Sequence, residues 1–159
     1  DDERNRICRL LDLAMSDGRE ALDLGTGTGF VASELLARGF EVDGVDISKE
    51  MIERLVAKQP EAIKNGRLRS YVKDADRFLG EQTKKYDLIT TSSVLHHFPD
   101  YEATINAMIT HLNPHGSLLF FHEPCGGTTS SLELLLRRID WKLSRFFLID
   151  SNDFYCVRI

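Results

Sequence analysis

Short apolar stretches alternating with amphipathic helical patterns predict an α/β fold built on a doubly wound open sheet. Two observations carry this expectation. Apolar runs near residues 20–24, 40–46, 67–72, 86–91 and 117–123 are separated by segments with helical spacing of Leu, Ile, Val and Met. The first run flows directly into Gly25-Thr26-Gly27-Thr28-Gly29 and then into a helix. Such a glycine turn lets backbone approach a ligand closely, and the helix after it turns free N–H groups to the same crevice. In an open α/β sheet this is a nucleotide-type site at the carboxyl edge of the strands.

Taken in order, Ile7, Leu10, Leu11 and Ala14 predict an amphipathic helix over about 4–15, stopped by Ser16-Asp17-Gly18. The first strand spans about 20–24 and the first crossover helix about 29–38, closed by Gly39. The second strand, 40–46, ends in an acid, Asp46. Ser48 is better placed than Asp46 to cap the next helix, whose apolar stripe is Met51, Ile52, Leu55 and Val56. Pro60 and Asn65-Gly66 break the pattern before a third strand at about 67–72, which delivers Lys73-Asp74-Ala75-Asp76 to the same edge. A short helix near 77–79 follows, and Asp76 suits its N-cap better than Asp74.

The fourth strand, 86–91, runs into Ser92-Ser93-Val94-Leu95-His96-His97-Phe98-Pro99. A helix over about 101–112 leads through Asn113-Pro114-His115-Gly116 to a fifth strand at 117–123, ending in His122-Glu123. The spacing predicts a further helix near 130–143 and a β-hairpin on either side of Ser151-Asn152.

The chain has the size of one domain, 1–159, able to bury a core. A net charge of −5 argues against a nucleic-acid partner, since the basic footprint of such binders is missing. Cys8, Cys125 and Cys156 are odd in number and without His or Cys at ligand spacing. They predict reduced thiols in a cytoplasmic compartment and no metal site. No apolar run has the length of a membrane span.

Two cofactor readings compete for the glycine turn. Gly27-Thr28-Gly29-Phe30-Val31-Ala32 fits the dinucleotide pattern G-x-G-x-x-G/A, a weak signal alone. The other reading includes Asp23, two places before the first glycine. A carboxylate there repels a pyrophosphate but favours a ligand carrying an ammonium and a sulfonium. The run Asp23-Leu24-Gly25-Thr26-Gly27-Thr28-Gly29 resembles the first motif of the class I S-adenosylmethionine-dependent methyltransferases. Gly44-Val45-Asp46-Ile47-Ser48-Lys49-Glu50-Met51-Ile52 resembles their second motif. The segment closing on Leu95-His96-His97 is similar to the fourth-strand motif of the ubiquinone-biosynthesis type. The family's usual Pro-Gly-Gly turn before the fifth strand is departed from at His115.

The resemblance implies a Rossmann-like, seven-stranded sheet of order 3-2-1-4-5-7-6, with strand 7 antiparallel. It implies methyl transfer from S-adenosylmethionine to an O, N, S or C nucleophile of a small or medium organic acceptor, leaving S-adenosylhomocysteine. The implied cofactor residues are Asp23, Gly25, Thr26, Gly27 and Gly29 in the loop; Asp46 on the ribose hydroxyls; and Ile47 and Met51 beside adenine. Asp74 and Ala75, with Asp76 as a substitute, would meet the purine edge, and Thr91 and Ser92 the methionine half. An acceptor hydroxyl needs a base within reach, for which His97, His96, His122 and Glu123 are candidates. Adjacent histidines face different directions, so at most one of His96 and His97 would serve. The acceptor itself, and whether the protein is a monomer or homodimer, stay open. Two other readings also stay open. A nicotinamide oxidoreductase lacks any Tyr-x-x-x-Lys, because Tyr71, Tyr86 and Tyr101 are followed four places on by Ala75, Thr90 and Ile105. A cofactor-binding domain without catalysis is suggested by the short segment before the first strand.

Overall fold

The side chains of the central parallel strands alternate between the two faces of the sheet, each of which is covered, so they divide between two separate cores. The computed structural model describes residues 2–122, 146–149 and 154–158. In chain order the first half holds α1 (Asp2–Ala14), β1 (Glu20–Leu24), α2 (Phe30–Ala37), β2 (Glu41–Asp46), α3 (Lys49–Lys58), α4 (Pro60–Lys64) and β3 (Leu68–Val72). The second half holds α5 (Ala75–Gly80), β4 (Tyr86–Ser92), a 3-10 turn (Leu95–His97), α6 (Tyr101–Thr110), β5 (Leu112–Phe121), β6 (Phe146–Ile149) and β7 (Phe154–Arg158).

The sheet order is β3-β2-β1-β4-β5-β7-β6. The first five strands are parallel, so their carboxyl ends share one edge. β7 runs antiparallel to β5 and β6. Alternation along β1 sends Ala21 to one core and Leu22 and Leu24 to the other. The first core packs α1, α2 and α3 on the sheet through Leu11, Leu35, Leu55 and Val42. The second packs α5 and α6 through Phe78, Ile105 and Met108 against Val45, Ile89 and Phe120. The α/β expectation holds, and β1 and the Ser48 cap fall as expected: Ser48 Oγ accepts from the Met51 N–H.

Four boundaries are corrected. Pro60 opens α4 at its first position, where the missing N–H costs nothing, and does not simply break the chain. α5 starts at Ala75, two residues earlier than expected. Its N-cap is Asp74, extended at φ −63, ψ 141, whose Oδ1 accepts from Arg77 N at 3.0 Å. Asp76 instead accepts from Thr104 Oγ1 at 2.6 Å, tying α5 to α6. α6 ends at Thr110 and β5 begins at Leu112, so the expected turn residues 113–116 lie within an irregular strand start. There His115 adopts φ 68. The expected helix near 130–143, the Ser151-Asn152 turn, Glu123 and Cys125 lie outside the described residues.

At the edge away from the carboxyl ends, charges are paired under cover. Asp43, buried in β2, accepts from Arg69 Nε, from Lys84 Nζ at 3.0 Å and from Tyr86 Oη at 2.8 Å. Glu20 supplies a second carboxylate to Lys84 and Arg69, at 2.6 and 3.1 Å. Burial, then the Asp43 charge, pushes the Tyr86 phenol well above its usual range.

Candidate functional site

Where β1 ends, the glycine turn bends the chain through three left-handed positions, Gly25 (φ 69), Gly27 (φ 53) and Gly29 (φ 82). Steric exclusion demands glycine as well. A Cβ on Gly25 would lie 2.0 Å from Val94 Cγ2, and one on Gly29 2.2 Å from Leu55 Cδ1. The turn is pinned to the neighbouring strand, with Gly25 N and Thr26 N donating to Val45 O at 2.8 and 3.0 Å. Asp46 finishes the pinning: Oδ2 accepts from Gly27 N and Oδ1 from Ser48 N, both at 2.8 Å.

Beneath the turn lies Asp23, 1% exposed. Its oxygens accept from Thr26 Oγ1 and Thr90 Oγ1, each at 2.7 Å, both neutral donors. Burial pushes its carboxyl up to about 6, and the nearby Asp46 charge adds to the rise; the threonine hydrogen bonds pull the other way.

Two clefts meet at Gly25. The larger, of about 400 Å³, is lined by Asp46, Ile47, Lys73, Asp74, Ala75 and Asp76 from the loops after β2 and β3, and by Val94, His97, Phe98 and Pro99 from the segment after β4. Ile47 is 74% exposed, an apolar side chain left open beside three carboxylates. The smaller, of about 210 Å³, is lined by Asp23, Thr26, Gly27, Thr28, Phe30, Ser92 and His122, with Ile7 of α1. There Ser92 Oγ lies 3.3 Å from His122 Nδ1. His122 itself adopts φ 54, as does Ser93 at the end of the adjacent strand. Paired left-handed residues at two strand ends are the kind of strain that concentrates at functional sites.

The structure therefore separates the sequence-predicted residues. Asp46, Ile47, Asp74, Ala75 and Asp76 come together in one cleft, and Asp23, Thr26, Gly27 and Ser92 in the other, with Gly25 in both. Gly29 and Met51 line neither; Met51 sits half-buried in the first turn of α3. Thr91 is buried in the sheet, and its hydroxyl has no hydrogen-bond partner among the described residues. The histidines divide too: His97 lines the larger cleft and His122 the smaller, while His96 is exposed with its ring centroid 4.0 Å from that of His97. Phe98, Pro99 and Val94 line the larger cleft without being singled out by the sequence pattern. Their proximity to the histidine pair was the available signal. Among the described residues no cluster of His, Cys, Asp and Glu has the makings of a metal site, and no helix is long and apolar enough to cross a membrane.

The profile of the methyltransferase domain family matches residues 2–149. This chain belongs to that family, the class I S-adenosylmethionine-dependent methyltransferases. Among curated proteins it is similar to the ubiquinone biosynthesis O-methyltransferase of Idiomarina loihiensis, at 32% identity over 104 residues, 65% of this chain and 42% of that protein. The corresponding protein of Aliivibrio fischeri is 30% identical over 65% of this chain and 43% of its own length. The chain thus spans less than half the length of these relatives. Among solved structures, the N-methyltransferase NodS from Bradyrhizobium japonicum WM9 superposes with a TM-score of 0.75 at 20% identity, over 98% of this chain and 95% of that one. The magnesium protoporphyrin IX methyltransferase of Synechocystis, solved with bound SAM, gives 0.68 at 18% identity, over 98% and 77%. Both likenesses speak to the fold.

Proposed function

We propose that this chain binds S-adenosylmethionine across the two clefts and transfers its methyl group to an O, N, S or C nucleophile of a small or medium organic acceptor. The observation that carries the reading is a row of acids at successive strand ends, Asp23, Asp46 and Asp74, disposed along two clefts that meet at a glycine. The residues fit such a ligand. Asp23 is a buried carboxylate with neutral partners, suited to a cation; Ile47 is an open apolar face; Gly25 leaves no room for a side chain.

In this reading Asp46 orients the ribose through oxygen lone pairs not used on Gly27 and Ser48. Ile47 covers adenine, and Asp74 with the Ala75 N–H reaches the purine edge. Asp76 remains the substitute, although its bond to Thr104 engages it elsewhere. Asp23, Thr26, Gly27 and Ser92 border the methionine half. When bound, S-adenosylmethionine supplies a methyl group already activated by its positive sulfur. The chain's task is to hold an acceptor in line, and positioning of this kind accounts for about 7–11 kcal/mol of a barrier. An acceptor hydroxyl would give its proton to a group on the smaller cleft, where His122 stands beside Ser92. The O- and N-methyltransferase names of the relatives support both acceptor types. The pairing of β7 with β5 and β6 supports the family's seven-stranded order with strand 7 antiparallel. A reducing, cytoplasmic setting and a single domain over 1–159 belong to the same proposal.

Calorimetry with S-adenosylhomocysteine and, separately, with NAD tests it. Micromolar binding of the first alone is expected, weakened at least tenfold by Asp46→Ala. Binding of NAD alone would sink the reading, and turnover on an acceptor panel separates an enzyme from a binding domain.

A further inference from the structure

We infer that His111 is a proton-operated clip at the carboxyl ends of α5 and α6. Charged, its ring donates to a backbone carbonyl on each side; neutral, it can donate to only one. His111 is 8% exposed and is the one buried histidine among the described residues. Its Nδ1 lies 2.9 Å from Lys84 O and its Nε2 3.0 Å from Leu79 O. A carbonyl oxygen only accepts. A neutral imidazole carries one N–H, so at one of these contacts a ring lone pair would face the carbonyl's own. The imidazolium carries two N–H groups and satisfies both.

Leu79 O belongs to the last turn of α5, where the helix runs out of its own donors. Glu81 N covers Arg77 O and Phe78 O, and the His111 ring takes Leu79 O. His111 is also the C-cap of α6: its N–H donates to Met108 O at 2.9 Å, and its C=O accepts from Tyr86 N at 2.8 Å. The ring thus stands at the negative ends of two helix dipoles, a place that favours a cation. Lys85 Nζ, donating to Thr110 O, is a second cation at that end of α6 and opposes the first.

The other charges on the surrounding elements are engaged elsewhere. At α5, Arg77 and Lys73 pair with Glu81 at 2.6 and 2.7 Å, and Asp76 accepts from Thr104. In the loop before β4, Lys84 Nζ turns to Glu20 and Asp43. On β4, Tyr86 Oη donates to Asp43, and Asp87 accepts from Glu20 N and Asn113 Nδ2. Glu102 lies in the first turn of α6, at its far end, and His115 of β5 is exposed. Both ring nitrogens therefore meet carbonyls and not carboxylates. The other end of α5 brings Asp74, Ala75 and Asp76 to the larger cleft. The clip thus fixes the helix behind one wall of that cleft, whatever the cleft holds.

The folded chain gains a hydrogen bond when the ring takes up its proton, and the unfolded chain does not. The clip's contribution to stability is therefore present at low pH and lost as pH rises. Urea unfolding of the wild type and of His111→Gln, whose amide stays neutral, tests it at about pH 6 and about pH 8.5, on either side of histidine's usual change of charge. The difference between the two proteins cancels the pH response of the other groups, Asp23 included. The wild type's advantage in folding equilibrium constant is expected to be about tenfold larger at the lower pH. An advantage equal within twofold at both, or larger at the higher pH, overturns the clip. A second measurement needs no variant. NMR spectra of the histidine-labelled wild type count the N–H groups on the buried ring, with two expected at the lower pH and one at the higher. The same number at both overturns the clip as well.

Discussion

Asp23 and Asp43 sit on neighbouring strands, each 1% exposed, yet the protein treats them in opposite ways. Asp43 is surrounded by cations and a phenol: Arg69, Lys84 and Tyr86 all donate to it. Asp23 receives two threonine hydroxyls. Burying a charge is costly unless it is paired. At the edge of the sheet away from the clefts the pairing is complete within the chain. At the carboxyl edge no cation among the described residues pairs with Asp23, and burial raises its carboxyl to about 6. A structural charge carries its partners with it, whereas the charge that the proposed function reserves for a ligand is stored at the expense of the fold.

The strongest way to break this comparison is Asp43→Ala. Removing one member of a buried ionic group strands the others, so a loss of about 3–5 kcal/mol in unfolding free energy is expected by urea titration. Affinity for S-adenosylhomocysteine should stay within twofold, because Asp43 lines neither cleft. A large loss of affinity in a still-folded variant would mean that the two edges are coupled.

Asp23→Asn should do the reverse. The folded carboxyl titrates near 6, above its ordinary 3.8, so its ionisation opposes folding. That penalty is absent below about pH 4, grows between 4 and 6, and is complete above 6, reaching about 3 kcal/mol for a shift of this size. The amide escapes it. The ligand-free variant should therefore be more stable than the wild type at pH 7.5, by up to about 3 kcal/mol, and gain nothing at pH 4. Binding should suffer at least tenfold for S-adenosylmethionine, and less for the uncharged-sulfur product. Stability profiles that run parallel across this window would show that Asp23 is paired after all.

The mildest test concerns backbone strain, which occurs at both edges. His122 and Ser93 take left-handed conformations beside the smaller cleft, and His115 takes one at the start of β5, far from it. His115→Gly should stabilise the protein by about 1 kcal/mol, by thermal unfolding, and leave ligand affinity unchanged.

What the sequence disclosed and what it hid divides along similar lines. β1, the glycine turn and the Ser48 cap are local: residue type and spacing within one turn determine them, and all three are where the pattern put them. The Asp74 cap was missed because two acids, Asp74 and Asp76, stand within one turn of the helix start, and only the extended backbone at Asp74 decides between them. Asp43 looked like an ordinary acid in a strand. Its partners Arg69, Lys84 and Tyr86 come from distant elements, so only the folded sheet unites them. One signal was available, since an ionised acid buried inside a covered strand is costly unless a partner, within the chain or outside it, offsets its charge. The histidines were recognised as a group but not sorted, because the 3-10 turn and the strand ends set which cleft each one meets.

The two hydrogen bonds that Asp46 accepts from Gly27 N and Ser48 N have a consequence for how this position can change. One carboxylate is a bracket joining the turn after β1 to the cap of α3, and in the proposed function it is also the ribose acceptor. An amide would present its NH₂ to a backbone N–H, donor against donor, and a longer acid would push the turn away from β2. The position is thus locked twice, once by the backbone and once by the ligand. A lineage that lost the ligand would still be held to aspartate by the fold, so the residue alone is a poor witness to whether catalysis survives.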